Sequence, residues 1–200
     1  MFRITKLPAA ALLVAAPFCL HAQAKVQSQA TSTMSGTAHS AAAVTAPDVG
    51  DTAPDFTANG ADMSGAKSVT LHDLRGQVVV LAFYPLDRSS GCTAELTKFR
   101  DEFSTIFGSG VTVLPISEDS VASHVGWAHD AHFPFMLVSD TNGQIANEYG
   151  SMMSARPYAS RTVFVIGKDG KVVWRDMKFG ALDQHAYDAL TAAIAKAKAE

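Results

Sequence analysis

The chain carries two cysteines, Cys19 and Cys92, in very different company. Cys92 lies in YPLDRSSGCTAELTKF (84–99), where an apolar run stops and a helical pattern starts. A thiol beyond the C-terminal end of a central strand stands where open α/β sheets place their ligands. In the first turn of the helix that follows, it also meets unpaired backbone N–H groups and the positive end of the helix dipole. Both favour a thiolate, the nucleophilic form of cysteine. A lone thiol in an exported domain is either buried filler or a reactive group, because it has no partner for an internal bridge.

Placing that thiol is the work of the elements around it. VVVLAFYP (78–85) is a continuous apolar, β-branched run, as in a strand buried on both faces, and Pro85 closes it. TAELTKFRDEFSTIF (93–107) has Leu96, Phe99, Phe103 and Ile106 at spacings of three and four, one face of a helix. VTVLPIS (111–117) reads as a strand, DSVASHVGWAHDA (119–131) as a helix, and FPFMLVSD (133–140) as a strand ending in the turn DTNG. QIANEYG forms a short helix closed by Gly150. RTVFVIG and KVVWRDM are strands joined by the Asp-Gly turn of KDG into a hairpin. ALDQHAYDALTAAIAKAKA is a closing helix with Leu182, Tyr187, Leu190 and Ile194 on its apolar face. DFTANG and SVTLHDL suit a small leading hairpin. Strand, helix, strand, helix and a hairpin with a final helix give a parallel first pair with a right-handed crossover. That layout is a thioredoxin-like α/β sandwich, a central mixed β-sheet flanked by helices, over residues 47–199.

YPLDRSSGCTAE resembles the active-site loop of the peroxiredoxins, the alkyl hydroperoxide reductase and thiol-specific antioxidant family, which reads Pro-x-x-x-Thr/Ser-x-x-Cys. VGDTAPDF, LRGQVVVLAFYP, FPFMLVSDTNGQIANEYG and SRTVFVIGKDGKVVW resemble further segments of that family, in order, so the likeness covers most of the domain. The subgroup it is most similar to is the bacterioferritin comigratory protein, or Q-type. The resemblance implies that Cys92 attacks a hydroperoxide and becomes a sulfenic acid. It implies that the Ser89 hydroxyl, where threonine is commoner, bonds thiolate and peroxide, and that Pro85 shields the sulfur from water. Arg161 would hold a fixed positive charge beside the sulfur and stabilise the leaving oxygen. Glu95, one turn after Cys92, suits either a role orienting Arg161 or a solvated helix face, and stays outside the catalytic set. No cofactor is implied.

One departure matters. Q-type peroxiredoxins often carry a resolving cysteine five residues after the first, and Thr97 stands there. A second copy of the chain brings no such cysteine either, so the pattern resembles the one-cysteine mechanism and fits a monomer or homodimer. The sulfenic acid then needs an external thiol or reducing protein. Two other readings stay open. A thioredoxin-type oxidoreductase would need Cys-x-x-Cys, but the tetrapeptide is Ser89-Ser90-Gly91-Cys92. A non-catalytic peroxiredoxin-like binding module would not need the thiol to react at all.

The N-terminus suggests export. MFRITK is basic, LPAAALLVAAPFCL is apolar, and AQA at 22–24 has the small-x-small form of a signal-peptidase site. A signal peptide over 1–24, removed together with Cys19, predicts a periplasmic or secreted chain starting near Lys25. Residues 25–46 have one charge and no aromatic side chain, and suit a flexible tether. Without Arg3 and Lys6 the charge is 14 basic minus 19 acidic, or −5, which disfavours nucleic-acid or anionic-membrane partners. His124, His129 and His132 do not share a helix face well at their spacings, so no metal site is expected. Trp127 and Trp174 read as packing residues.

Overall fold

The computed structural model describes residues 45–200; the expected signal segment and all but the end of the expected tether lie outside them. A seven-stranded mixed sheet forms the centre, in the order β2-β1-β5-β4-β3-β6-β7. Inside it, β3 (Val78–Phe83) runs parallel to β4 (Val111–Ser117) on one side and antiparallel to β6 (Thr162–Ile166) on the other. All six β3 residues are buried. Alternation splits them between two layers. Val78, Val80 and Ala82 join the core under α1 (Ser90–Asp101) and α5 (Gln184–Ala199), with Leu96, Phe99, Tyr187 and Leu190. Val79, Leu81 and Phe83 pack on the opposite face with Ile145, Tyr149 and Phe164. A strand with two covered faces has no polar positions, which is why the sequence run is unbroken.

The leading segment is a hairpin as expected, β1 (Thr57–Asp62) with β2 (Gly65–Thr70), but it is part of the main sheet. β1 pairs with β5 (Leu137–Ser139) at Gly60 and Ala61. A Cβ at Gly60 would lie 2.1 Å from the Leu137 carbonyl oxygen, so this strand junction requires glycine. LHDL is a short 3-10 helix (Leu71–Leu74), not a strand. β2 is the exposed edge, and its Lys67 pairs with Asp62 at 2.5 Å, a charge that discourages edge-to-edge association.

The helix expected over 93–107 starts earlier and breaks. α1 begins at Ser90, Glu102 leaves helical geometry at φ −107° and ψ 22°, and α2 (Phe103–Ile106) completes the segment. α3 (Val121–Ala131) is capped by the Ser120 hydroxyl, which accepts the Ser123 N–H. α4 (Gln144–Glu148) is short, and β7 (Val172–Asp176) closes the second hairpin. Leu182 corrects the sequence reading of the last helix. It precedes the cap residue Asp183 and is 86% exposed, while Tyr187, Leu190 and Ile194 are buried. The helical period was extended one turn beyond the point where the chain starts to coil.

Candidate active site

The loop from Tyr84 to Ser89 carries the chain from the end of β3 into α1, on the edge where β4 also ends. Ser89 is the N-cap of α1, with extended backbone at φ −65° and ψ 151°. Its carbonyl accepts the Thr93 N–H at 2.8 Å, while its hydroxyl makes no capping bond. Cys92 lies in the first turn that Ser89 opens and is completely buried. Pro85 is half-buried beside the exposed Leu86.

Arg161 comes from the far side of the sheet order. Register explains its arrival: β6 runs antiparallel to β3 with Thr162 opposite Phe83, so the residue before Thr162 lies at the mouth of the loop. Its Nη1 and Nη2 each stand 3.7 Å from the Cys92 Sγ. A planar fork presented to one sulfur is a geometry lysine does not offer. Gly91 makes room for it, since a Cβ there would lie 3.0 Å from Arg161 Nη2.

Glu95, left out of the set expected from sequence, belongs to this cluster. It is completely buried, and Arg161 Nη1 donates to its Oε2. Its other oxygen, Oε1, has no hydrogen-bond partner. Burial pushes its carboxyl up to about 7, against the pull of the Arg161 guanidinium. The signal for it was in the helix period: Cys92, Glu95, Leu96 and Phe99 are the buried stripe of α1. A carboxylate inside such a stripe must be paired.

A second buried cluster grips the same loop. Asp87 accepts the Tyr84 hydroxyl on Oδ1 at 2.8 Å, and the Ser123 hydroxyl on Oδ2 at 2.5 Å. His124 Nδ1 lies 3.1 Å from Oδ2 and its Nε2 lies 3.2 Å from the Val138 carbonyl oxygen. His124 is therefore engaged on both nitrogens inside the protein, while His129 and His132 are exposed. Trp127 is buried as expected, edge-on to Tyr84, and Trp174 packs partly buried on the core.

Residues 49–175 match the family model described as the AhpC/TSA family. The chain belongs to the AhpC/TSA family. It is 36% identical over 139 residues to a protein named putative peroxiredoxin bcp of Coxiella burnetii, covering 66% of this chain and 90% of that one. It is 35% identical to a chloroplastic peroxiredoxin Q of Triticum aestivum over 62% of this chain, but spans only 56% of that longer relative. Among solved structures, the peroxidoxin BcpB of Mycobacterium tuberculosis superposes with a TM-score of 0.66 at 30% identity, covering 75% of this chain and 97% of the other. These likenesses support the Q-type subgroup, and with it a peroxiredoxin: a thiol-dependent peroxidase with a hydroperoxide substrate and a thiol reductant. A plain thiol-disulfide oxidoreductase and a silent binding module are not favoured.

Proposed function

We propose that Cys92, Arg161, Ser89 and Pro85 carry out this reduction as a one-cysteine cycle. The Cys92 thiolate attacks one peroxide oxygen. An S–O bond forms, the O–O bond breaks, and the leaving oxygen takes a proton and departs as water or an alcohol. Arg161 faces the sulfur with both terminal nitrogens, which stabilises charge developing on the leaving oxygen. The Ser89 hydroxyl makes no capping bond to the helix, which supports a role donating to the peroxide. Pro85 limits water at the mouth of the site. The observation that carries this reading is the convergence of Arg161 on a buried sulfur in the first turn of α1.

Among the described residues the resulting sulfenic acid has no second thiol to meet. Thr97 stands five positions on in a continuous helix, roughly 140° around its axis from Cys92. An external thiol therefore forms a mixed disulfide with Cys92 and releases water, and a second thiol restores Cys92 and leaves as a disulfide. A small thiol or a reducing protein fits this role, and the cycle runs in a monomer or a homodimer. The basic start, apolar run and AQA motif support export to the periplasm or beyond, with a mature start near Lys25.

The test is single-turnover reduction of hydrogen peroxide by the purified chain, followed by trapping with a dimedone-type reagent. A trapped adduct on Cys92, and sustained turnover only when a thiol is added, are expected. Steady turnover with no external thiol would overturn the one-cysteine cycle. Exported protein whose intact mass retains residues 1–24 would overturn the signal assignment.

A further inference from the structure

Cys92 is completely buried, yet an outside thiol must reach its sulfur in line to regenerate it. The loop that covers it must therefore open during each cycle. What holds that loop shut is the cluster around Asp87. Within it, both ring nitrogens of His124 face atoms that only accept: a carboxylate oxygen of Asp87 and the carbonyl oxygen of Val138. The carboxylate and the carbonyl thus hold the buried ring from both sides. Asp87 also takes hydroxyl protons from Tyr84 and Ser123, and its own N–H is bonded to Asp119 Oδ2 at 2.7 Å. The other titratable side chains against the pair are Tyr84 at the end of β3 and Asp119 between β4 and α3. Arg88 turns outward to Asp130 at 2.9 Å. Its backbone has φ 60°, the left-handed bend that brings Asp87 inward while the chain continues to Ser89.

We propose that Asp87 and His124 form a hydrogen-bonded clamp that locks the Cys92 loop to α3 and β5, positioning the loop for peroxide attack and limiting the access of the reducing thiol. Neither residue touches the reacting atoms; both act through the loop. Closed, the clamp fixes the loop that leads into the first turn of α1, where Cys92 lies. Opening it means parting a buried carboxylate from several donors at once, so the clamp sets how often the sulfenic acid is exposed.

The inference rests on Cys92 being the attacking sulfur, which the wild-type peroxide rate tests separately. Oxidation of Cys92 by hydrogen peroxide, and reduction of the sulfenic acid by dithiothreitol, are timed in the full chain, in Asp87→Asn and in His124→Gln. Oxidation is expected to slow by about tenfold or more, the size expected when a buried charge-assisted hydrogen bond loses one partner. Reduction is expected to quicken, because the loop opens more often. A merely structural role would slow both steps. Should Asp87→Asn and His124→Gln fail to fold, Ser123→Ala removes one donor from the same carboxylate and is expected to move the two rates in the same opposed senses by a smaller factor. Rates that move together or stay still would overturn the proposal.

Discussion

Two buried carboxylates flank the Cys92 loop, and the protein treats them in opposite ways. Asp87 has both oxygens occupied by Tyr84, Ser123 and His124. Burial works to raise its pKa, but these partners together prevail and hold its carboxyl below the usual range. Glu95 has one partner, Arg161, and an orphan oxygen, and burial pushes it up to about 7. The difference is where the partner's own attention lies. His124 and Ser123 are spent on Asp87, whereas Arg161 divides its guanidinium between Glu95 and the sulfur. Saturated hydrogen bonding gives a rigid anchor. An unsaturated pair leaves charge available to a third party, here Cys92.

The largest expected effect lies on the unsaturated side. Arg161→Ala should lower the rate of peroxide attack by about 10²–10³, as loss of a preorganised electrostatic donor does elsewhere. Arg161→Lys should recover only part, because an ammonium is a single point of charge. Stopped-flow oxidation of the reduced chain checks both, and an unchanged rate in Arg161→Ala would remove Arg161 from the mechanism.

Stability should show the reverse ranking. Asp87→Ala strands His124 and its neighbours and should cost about 3–5 kcal/mol in chemical denaturation. Glu95→Gln should cost no more than about 1 kcal/mol, since it removes a poorly satisfied buried charge and Arg161 still reaches solvent. Equal losses in the two variants would erase the contrast drawn between the clusters.

Their pH dependence should also differ in sign. Glu95 keeps its proton up to about 7 when folded, against 4.5 ordinarily. Between those values the folded chain binds more protons than the unfolded one, so the Glu95 contribution to stability falls as pH rises. Glu95→Gln should flatten that fall. Asp87, with its pKa lowered on folding, contributes stability that is full at neutral pH and is lost as pH falls through its folded value. Denaturation curves of the wild type and Glu95→Gln across that window decide the matter.

Smaller effects should sharpen the picture. Gly91→Ala places a methyl group 3.0 Å from Arg161 Nη2, so peroxide attack should slow several-fold with little change in denaturation midpoint. Leu182→Ser, at a position 86% exposed, should change stability by less than about 0.5 kcal/mol. A larger loss would restore Leu182 to the apolar face of the closing helix.

The sequence alone determined the central strand, because six consecutive apolar residues can be satisfied only by a strand covered on both faces. It determined that Cys92 opens a helix, because the spacing of Leu96 and Phe99 sets the helix period and the run before it must end at Pro85. It also offered, through the family resemblance, the candidates that stand in one local motif, Pro85, Ser89 and Cys92, and Arg161 in a separate segment. What only the tertiary structure decided is which charges meet. Asp87 and His124 are 37 positions apart, and Glu95 and Arg161 are 66 apart. The helix period puts Glu95 on the buried stripe of α1, but its partner is settled only when β6 lies beside β3 and brings Arg161 to it. His124 looked like one of three scattered histidines until α3 turned it inward to a carboxylate and a carbonyl. Local pattern fixes which face of an element is buried. The strand order and register fix what that face finds there, and buried charge is decided by what it finds.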